Sequence, residues 1–279
     1  MPATRLETIR VEKPWGRTTL WPGLADPAPG EGAVGEIWFD RPCGPHLPLL
    51  VKYLFTSERL SIQVHPDDEL AQAQGQPHGK EECWIVLDAG PDATLGLGTT
   101  RKLSSGELRA AALSGEIETL MDWKPVKTGD IVLVSPGTVH AIGANITLIE
   151  VQQNIDLTYR LYDYGRPREL HLDAGVKASR AEPFAMDRYP APLGDDVLLL
   201  VQGGHFTVER WSWSGERTVQ MPEGMPGWLI PVEGGGAADG MTFAAGQCWL
   251  IEGEAEIAAG PGADLLFAYP SPHPLGLFA

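Results

Sequence analysis

Gln63 and His65 stand two apart in the run Leu60-Ser61-Ile62-Gln63-Val64-His65-Pro66. On an extended strand both point to one face. Two neutral donor side chains on one face, one of them an imidazole, can begin a metal site, and polar groups turned into a sheet interior are otherwise costly. Two later segments can complete it. Lys80-Glu81-Glu82-Cys83-Trp84 supplies a carboxylate, and Ser135-Pro136-Gly137-Thr138-Val139-His140 supplies a second imidazole. The donor set read from the chain is Gln63, His65, Glu82 and His140. Zinc accepts imidazole nitrogen and carboxylate oxygen, and a catalytic site keeps one position open. A glutamine oxygen is a weak ligand and leaves the ion a stronger Lewis acid. Each residue alone has an ordinary reading, a hydrogen-bonded strand histidine or a solvated strand-edge glutamate. Their order joins them: Gln-x-His, a Glu opening an apolar strand, then Gly129-x6-Pro136-Gly137-x2-His140. Such spacing fits adjacent hairpins of a small barrel converging on one interior point.

The elements that must hold these residues are short strands. Alternation predicts strands over 50–55 and 59–64 around a Thr56-Ser57-Glu58 turn, and further strands over 82–87, 130–134 and 146–152. The turn at Pro136-Gly137 places His140 at the start of the next strand. Asp67, Asp68 and Glu69 follow Pro66 and are expected to cap a short helix. Residues 102–121 read as helical, with Leu103, Leu108, Ala112 and Leu113 on one face. Six more strands are expected over 197–201, 206–213, 228–232, 248–251, 256–258 and 265–269, separated by Gly-rich turns such as Glu233-Gly234-Gly235-Gly236. The division expected is a metal-binding unit over 1–180 and a second β unit over 181–279, with 181–192 as linker. The second unit holds only His205 and His273, with no donor pair at spacing two. It is expected to be chemically silent.

Composition bounds the function. The chain has 279 residues, 43% of them hydrophobic, enough for one large domain or two packed halves. Its 33 glycines and 24 prolines suit many strands and turns. The net charge of −16 and the lack of a Lys/Arg cluster argue against nucleic acid as a partner. Three scattered cysteines, Cys43, Cys83 and Cys248, make neither a disulfide framework nor a metal pair, and favour a reducing compartment. Residues 1–8 carry no apolar core of signal-peptide length, and no apolar run is long enough to span a bilayer. A cytoplasmic protein without membrane partners is expected.

The gapped set Gln63-x-His65, Glu82, Pro136-Gly137-x2-His140 resembles the cupin metal motifs. More narrowly, the chain resembles the type I mannose-6-phosphate isomerases, or phosphomannose isomerases. The matching segments are Lys13-Pro14-Trp15-Gly16, Leu60-Ser61-Ile62-Gln63-Val64-His65-Pro66, Gly79-Lys80-Glu81-Glu82-Cys83-Trp84, Pro136-Gly137-Thr138-Val139-His140-Ala141-Ile142 and Tyr159-Arg160-Leu161-Tyr162-Asp163-Tyr164-Gly165-Arg166. The resemblance is strong over roughly residues 10–175. It implies an all-β dominated fold of two cupin-like (jelly-roll) barrels with a few short helices, the second barrel degenerate. It also implies one Zn2+ per chain on Gln63, His65, Glu82 and His140. Two departures stand out. Ser135-Pro136-Gly137 replaces the more usual Pro-Ala-Gly, and the large helical insert of longer members is missing.

The activity implied is aldose–ketose isomerisation of mannose 6-phosphate to fructose 6-phosphate, through proton transfer between C2 and C1 by way of a cis-enediol. The small phosphosugar is the expected partner of a monomer or homodimer. The resemblance maps Lys52, Lys80, Asp156 and Arg160 to the active site; Arg160, Lys80 and Asp156 are expected to serve catalysis, and Lys52, Trp15 and Ser61 to bind substrate. Asp156, or Lys80 with its charge disfavoured beside a dication, could move the proton. Arg160 suits phosphate or a reacting oxygen, with a salt bridge to Asp156 or Asp163 as the plain alternative. Lys52 lies in the apolar run Leu49-Leu50-Val51-Lys52-Tyr53-Leu54-Phe55, where a charge needs a polar cavity or must snorkel. Trp15 reads first as a core aromatic. Two other functions fit the same residues: a cupin isomerase for another sugar, and a sugar-binding cupin without catalysis.

Overall fold

The computed structural model describes residues 2–41, 43–186 and 189–278. The first part of the chain runs β1 (Ala3–Arg5), β2 (Glu7–Arg17), β3 (Val34–Asp40), β4 (Leu49–Thr56), β5 (Ile62–Val64), α1 (Asp68–Gln72), β6 (Glu82–Ala89), β7 (Thr94–Thr99), α2 (Ser105–Ser114), α3 (Ile117–Leu120), β8 (Met121–Pro125), β9 (Ile131–Val134), β10 (His140–Ile142), β11 (Ile146–Gln153), β12 (Tyr159–Tyr162) and α4 (Leu172–Ala178). The remainder is all strand: β13 (Ala191–Gly194), β14 (Val197–Gln202), β15 (Thr207–Trp211), β16 (Gly215–Gln220), β17 (Pro226–Glu233), β18 (Gly235–Ala238), β19 (Met241–Ala244), β20 (Trp249–Glu252), β21 (Glu254–Ala259) and β22 (Asp264–Tyr269). Among the described residues no helix is long and apolar enough to cross a membrane.

Among the described residues, four antiparallel sheets form two facing pairs. In the first pair, β2-β3-β4-β11-β6-β9 faces β12-β5-β10-β7-β8; in the second, β1-β20-β17-β22-β15-β14-β13 faces β16-β21-β18-β19. The period of two decides what each strand face meets. Val51, Tyr53 and Phe55 of β4, Cys83 and Ile85 of β6, and Ile149 and Val151 of β11 pack against Leu200, Phe206, Val208, Trp228 and Leu266 of the second sheet pair. The alternate residues Leu54, Trp84, Val86 and Leu148 turn into the first barrel and meet Leu95, Leu97 and Ile142. Both faces are therefore covered, and β4 and β11 are buried along their whole length. The helices cover the outer side of the smaller sheet through Leu108, Ala111, Ala112 and Ile117.

Several expectations are corrected. Strands β4 and β5 are not hairpin partners: β4 pairs with β3 and β11, while β5 pairs with β10 and β12 in the facing sheet. The turn at Ser57 thus carries the chain across the barrel. Residues 102–121 do not form one helix. A capping box between Ser104 and Glu107 starts α2, and Gly115 at φ 83° ends it. Leu113, placed on the apolar face, is 65% exposed. The six later strands are present with shifted ends, and four more accompany them; Gly235 and Gly236, read as turn, lie in β18. Strand β1 belongs to the sheet of the second half, where Thr4 pairs with Leu250. Of the expected linker, 187 and 188 lie outside the described residues; Ala181 and Glu182 are bonded to Leu103 and Thr99 of the first unit.

One core runs through both halves, so they are expected to unfold together. Phe206→Ala, which empties a fully buried site in that core, should cost about 3–5 kcal/mol. Denaturant melts followed by near- and far-UV circular dichroism should show a single transition; two separated transitions would show independent units.

Candidate metal centre

The larger and smaller sheets of the first barrel bring the predicted donors together at one end. His140 opens β10 and sits directly across from Gln63 of β5; Glu82 opens β6 and pairs with Gln152 of β11. His65 follows β5, and its carbonyl accepts the Gly137 N–H at 2.8 Å. Gly137 adopts φ 87°, so the Pro136-Gly137 turn needs glycine to aim His140 inward.

Donor atoms of His65, Glu82 and His140 all lie within 4.8 Å of one another, and all three residues are buried. Each imidazole is fixed by its outer nitrogen: His65 Nδ1 donates to the Leu157 carbonyl at 2.8 Å and His140 Nδ1 to that of Thr138 at 2.9 Å. That leaves both Nε2 lone pairs facing Glu82, each 3.4 Å from one of its oxygens. Burial lowers the pKa of both imidazoles, that of His140 to about 3, so both are neutral. Burial would raise Glu82, but Lys80 and the two imidazoles outweigh it and hold the carboxylate well below its ordinary range. Among the described residues no hydrogen bond reaches His65 Nε2 or Glu82 Oε1, while Glu82 Oε2 faces the Lys80 ammonium. Buried polar atoms are rarely left so. A neutral-imidazole, carboxylate donor set with orphaned atoms fits a divalent cation. Gln63 stands beside it: Nε2 lies 3.3 Å from His140 Nε2, and Oε1 accepts from Ser61 Oγ at 3.1 Å.

Against this cluster lies a cavity of about 170 Å3. All six residues expected to serve catalysis or substrate line it: Lys52, Trp15, Ser61, Lys80, Asp156 and Arg160, together with Gln63. Five cations (Lys13, Lys52, Lys80, Arg160, Arg168) and three carboxylates (Glu36, Glu150, Asp156) face it, an excess of positive charge in an acidic protein. Lys52 does not snorkel; its Nζ donates to Glu150 at 3.0 Å and Gln152 at 2.6 Å. Lys80 Nζ lies 2.7 Å from Glu82 and 3.9 Å from Glu150. Burial would lower the Lys80 pKa, yet these carboxylates raise it above its ordinary value. Arg160 makes no ion pair among the described residues. Its Nη1 donates to the Glu169 carbonyl at 2.8 Å, and its buried Nε has no partner. Asp163 is instead held by Arg168 at 2.6 Å. A larger cavity of about 580 Å3, between the two halves at Trp21, Ile85, Leu200 and Leu266, holds none of the predicted residues.

Sequence reasoning missed Glu150. It carries Lys52 and accepts from Trp84 Nε1 at 3.2 Å. The signal was there, a lone carboxylate in the apolar run Ile146-Thr147-Leu148-Ile149-Glu150-Val151. Lys13, Glu36, Trp38 and Arg168 were missed as well.

The neutral imidazoles set a pH dependence. As pH falls below about 6.5, the unfolded chain protonates these histidines while the folded one does not. The unfolded state then binds more protons, and stability declines toward the lowered folded values; Glu82, also lowered, acts in the same direction. The denaturant midpoint of chelator-treated protein should therefore drop steadily from about pH 6.5 to about pH 4.5. A flat midpoint would mean that the imidazoles are hydrated.

No protein-family model matches the chain. Mannose-6-phosphate isomerase ManA of Bacillus subtilis is 37% identical over 219 residues, 71% of this chain and 67% of the relative. Mannose-6-phosphate isomerase of Streptococcus mutans is 37% identical over 200 residues, 67% of this chain and 61% of the relative. The chain thus spans about two thirds or less of the length of these curated relatives. A crystal structure of mannose 6-phosphate isomerase from Bacillus subtilis superposes with a TM-score of 0.81 at 28% identity, covering 96% of this chain and 99% of that one. The cupin barrels, the buried donor cluster and these similarities together place the chain in the mannose-6-phosphate isomerase family.

Proposed function

We propose that the chain interconverts mannose 6-phosphate and fructose 6-phosphate with one Zn2+ held by His65, Glu82, His140 and Gln63. Residues 1–180, apart from β1, form the catalytic unit in this reading, and 181–279 together with β1 a degenerate cupin-like unit. The observation that carries it is the buried donor cluster of His65, Glu82 and His140, which Gln63 and Lys80 join to a cavity lined also by Lys52, Asp156 and Arg160.

A bound divalent ion supplies Lewis-acid polarisation of sugar oxygens. The chain's own groups do the rest. Gln63 contributes its oxygen after a half-turn of the amide. Lys80, kept as an ammonium by Glu82 and Glu150, donates hydrogen bonds to oxygens on which charge develops. Asp156 lies exposed at the cavity with no hydrogen bond or ion pair among the described residues, so its carboxylate is free to lift the C2 proton and return it at C1. Arg160 presents an unpaired guanidinium edge to the same space, suited to the phosphate. Lys52 and Trp15 form the wall, and Ser61 steadies Gln63.

A coupled assay should show turnover of mannose 6-phosphate that chelation abolishes and Zn2+ restores. Unphosphorylated mannose should react at least about 100-fold less efficiently, because the charge-assisted contacts to phosphate are lost. Chelator-resistant turnover, or equal use of both sugars, would sink this reading. Arg160→Lys should lower kcat/KM about 10- to 100-fold through loss of the planar donor fork, and wild-type kinetics in that variant would make Arg160 structural.

A further inference from the structure

The second unit reaches the metal centre through one turn. The turn between β14 and β15, Gly203-Gly204-His205, closes over Glu81, the residue between Lys80 and Glu82. Glu81 is buried, and its carboxylate accepts Gly204 N–H at 3.1 Å and His205 N–H at 2.9 Å. The His205 ring bridges two carboxylates: Nδ1 lies 3.2 Å from Glu81 Oε2, and Nε2 lies 3.2 Å from Asp68 Oδ2. Gly203 comes so close that a Cβ there would stand 2.5 Å from Glu81 Oε2.

Both carboxylates anchor the loop that presents Lys80 and Glu82. Asp68 Oδ1 accepts the Gly79 N–H at 2.8 Å, and Gln153 ties the two ends together by donating to Asp68 and by accepting the Glu81 N–H at 2.8 Å. Neighbouring residues on an extended chain point opposite ways. Lys80 and Glu82 turn toward the donor cluster while Glu81 turns away, so holding Glu81 fixes the direction of both.

We infer that His205 is a positioning residue for the metal centre, setting Glu82 and Lys80 through Glu81 and Asp68, and that the second unit is thereby part of the site. This revises the expectation that the second unit is chemically silent. The inference rests on the metal reading above. Outer partners of ligands typically change affinity about 10- to 100-fold; His205 acts one contact further out, so about a fivefold to tenfold effect is expected.

The test uses the full chain and Co2+ alone, whose d–d absorption reports ligand geometry without any turnover. His205→Ala should bind Co2+ about fivefold to tenfold more weakly and with an altered band, at unchanged circular dichroism. His205→Gln, which retains a donor for one carboxylate, should recover most of the loss. Gly203→Ala, which pushes on Glu81 from the same side, should move the band as His205→Ala does, and it decides the matter if His205→Ala does not fold. Wild-type affinity and band in the folded variants would overturn the inference while leaving the metal reading intact, as would a loss that His205→Gln does not reduce. Wild-type protein that takes up no Co2+ would overturn the metal reading, and this inference with it.

Discussion

The site depends on keeping opposite charges paired in a place where neither could stand alone. Lys52, Lys80, Glu82 and Glu150 are all buried inside the first barrel. Removing one member of such a set strands its partner and typically costs about 3–5 kcal/mol. The pairing is built into the ladder: Glu150 of β11 lies across from Lys52 on one side and Trp84 on the other. A slip of one residue would send Glu150 into the apolar layer shared with the second unit and bring Ile149 into the cavity. Strand register and site chemistry are therefore one constraint.

The same alternation explains how a short chain supports an enclosed site. In β4, β6 and β11 one set of residues builds the barrel interior and the other builds the contact with the second sheet pair. The apolar set anchors the strands, which lets the opposite face carry charge. Burial also keeps both imidazoles neutral and ready as donors.

Much of this was legible in the chain. Gln63, His65, Glu82 and His140 stand out because short strands and a Pro-Gly turn leave little freedom in where they point. Lys52 was conspicuous as a charge in an apolar run, and the cavity it required is there. Glu150 gave the same signal, but its meaning lies in cross-strand pairing, which local pattern does not contain. The β4–β5 crossing was missed for that reason too, since a short turn looks alike whether it joins neighbours or facing sheets. In the second unit, Gly235–Ala238 has no large side chain to alternate, so its strand is visible only through its partners β19 and β21.

Strand β1 gives the architecture a temporal side. Residues Ala3–Arg5 precede every strand of the metal centre in the sequence, yet they pair with Trp249–Ile251, which follow them all. During synthesis that strand must wait, unpaired, until β20 has emerged. The strands of the metal centre, from β4 to β12, are complete long before. The barrel can thus assemble early around its donors, while the loop at Glu81 and the apolar faces of β4, β6 and β11 stay uncovered until the second sheet pair arrives. Completion of the site is then tied to synthesis of the second sheet pair, β13 to β22.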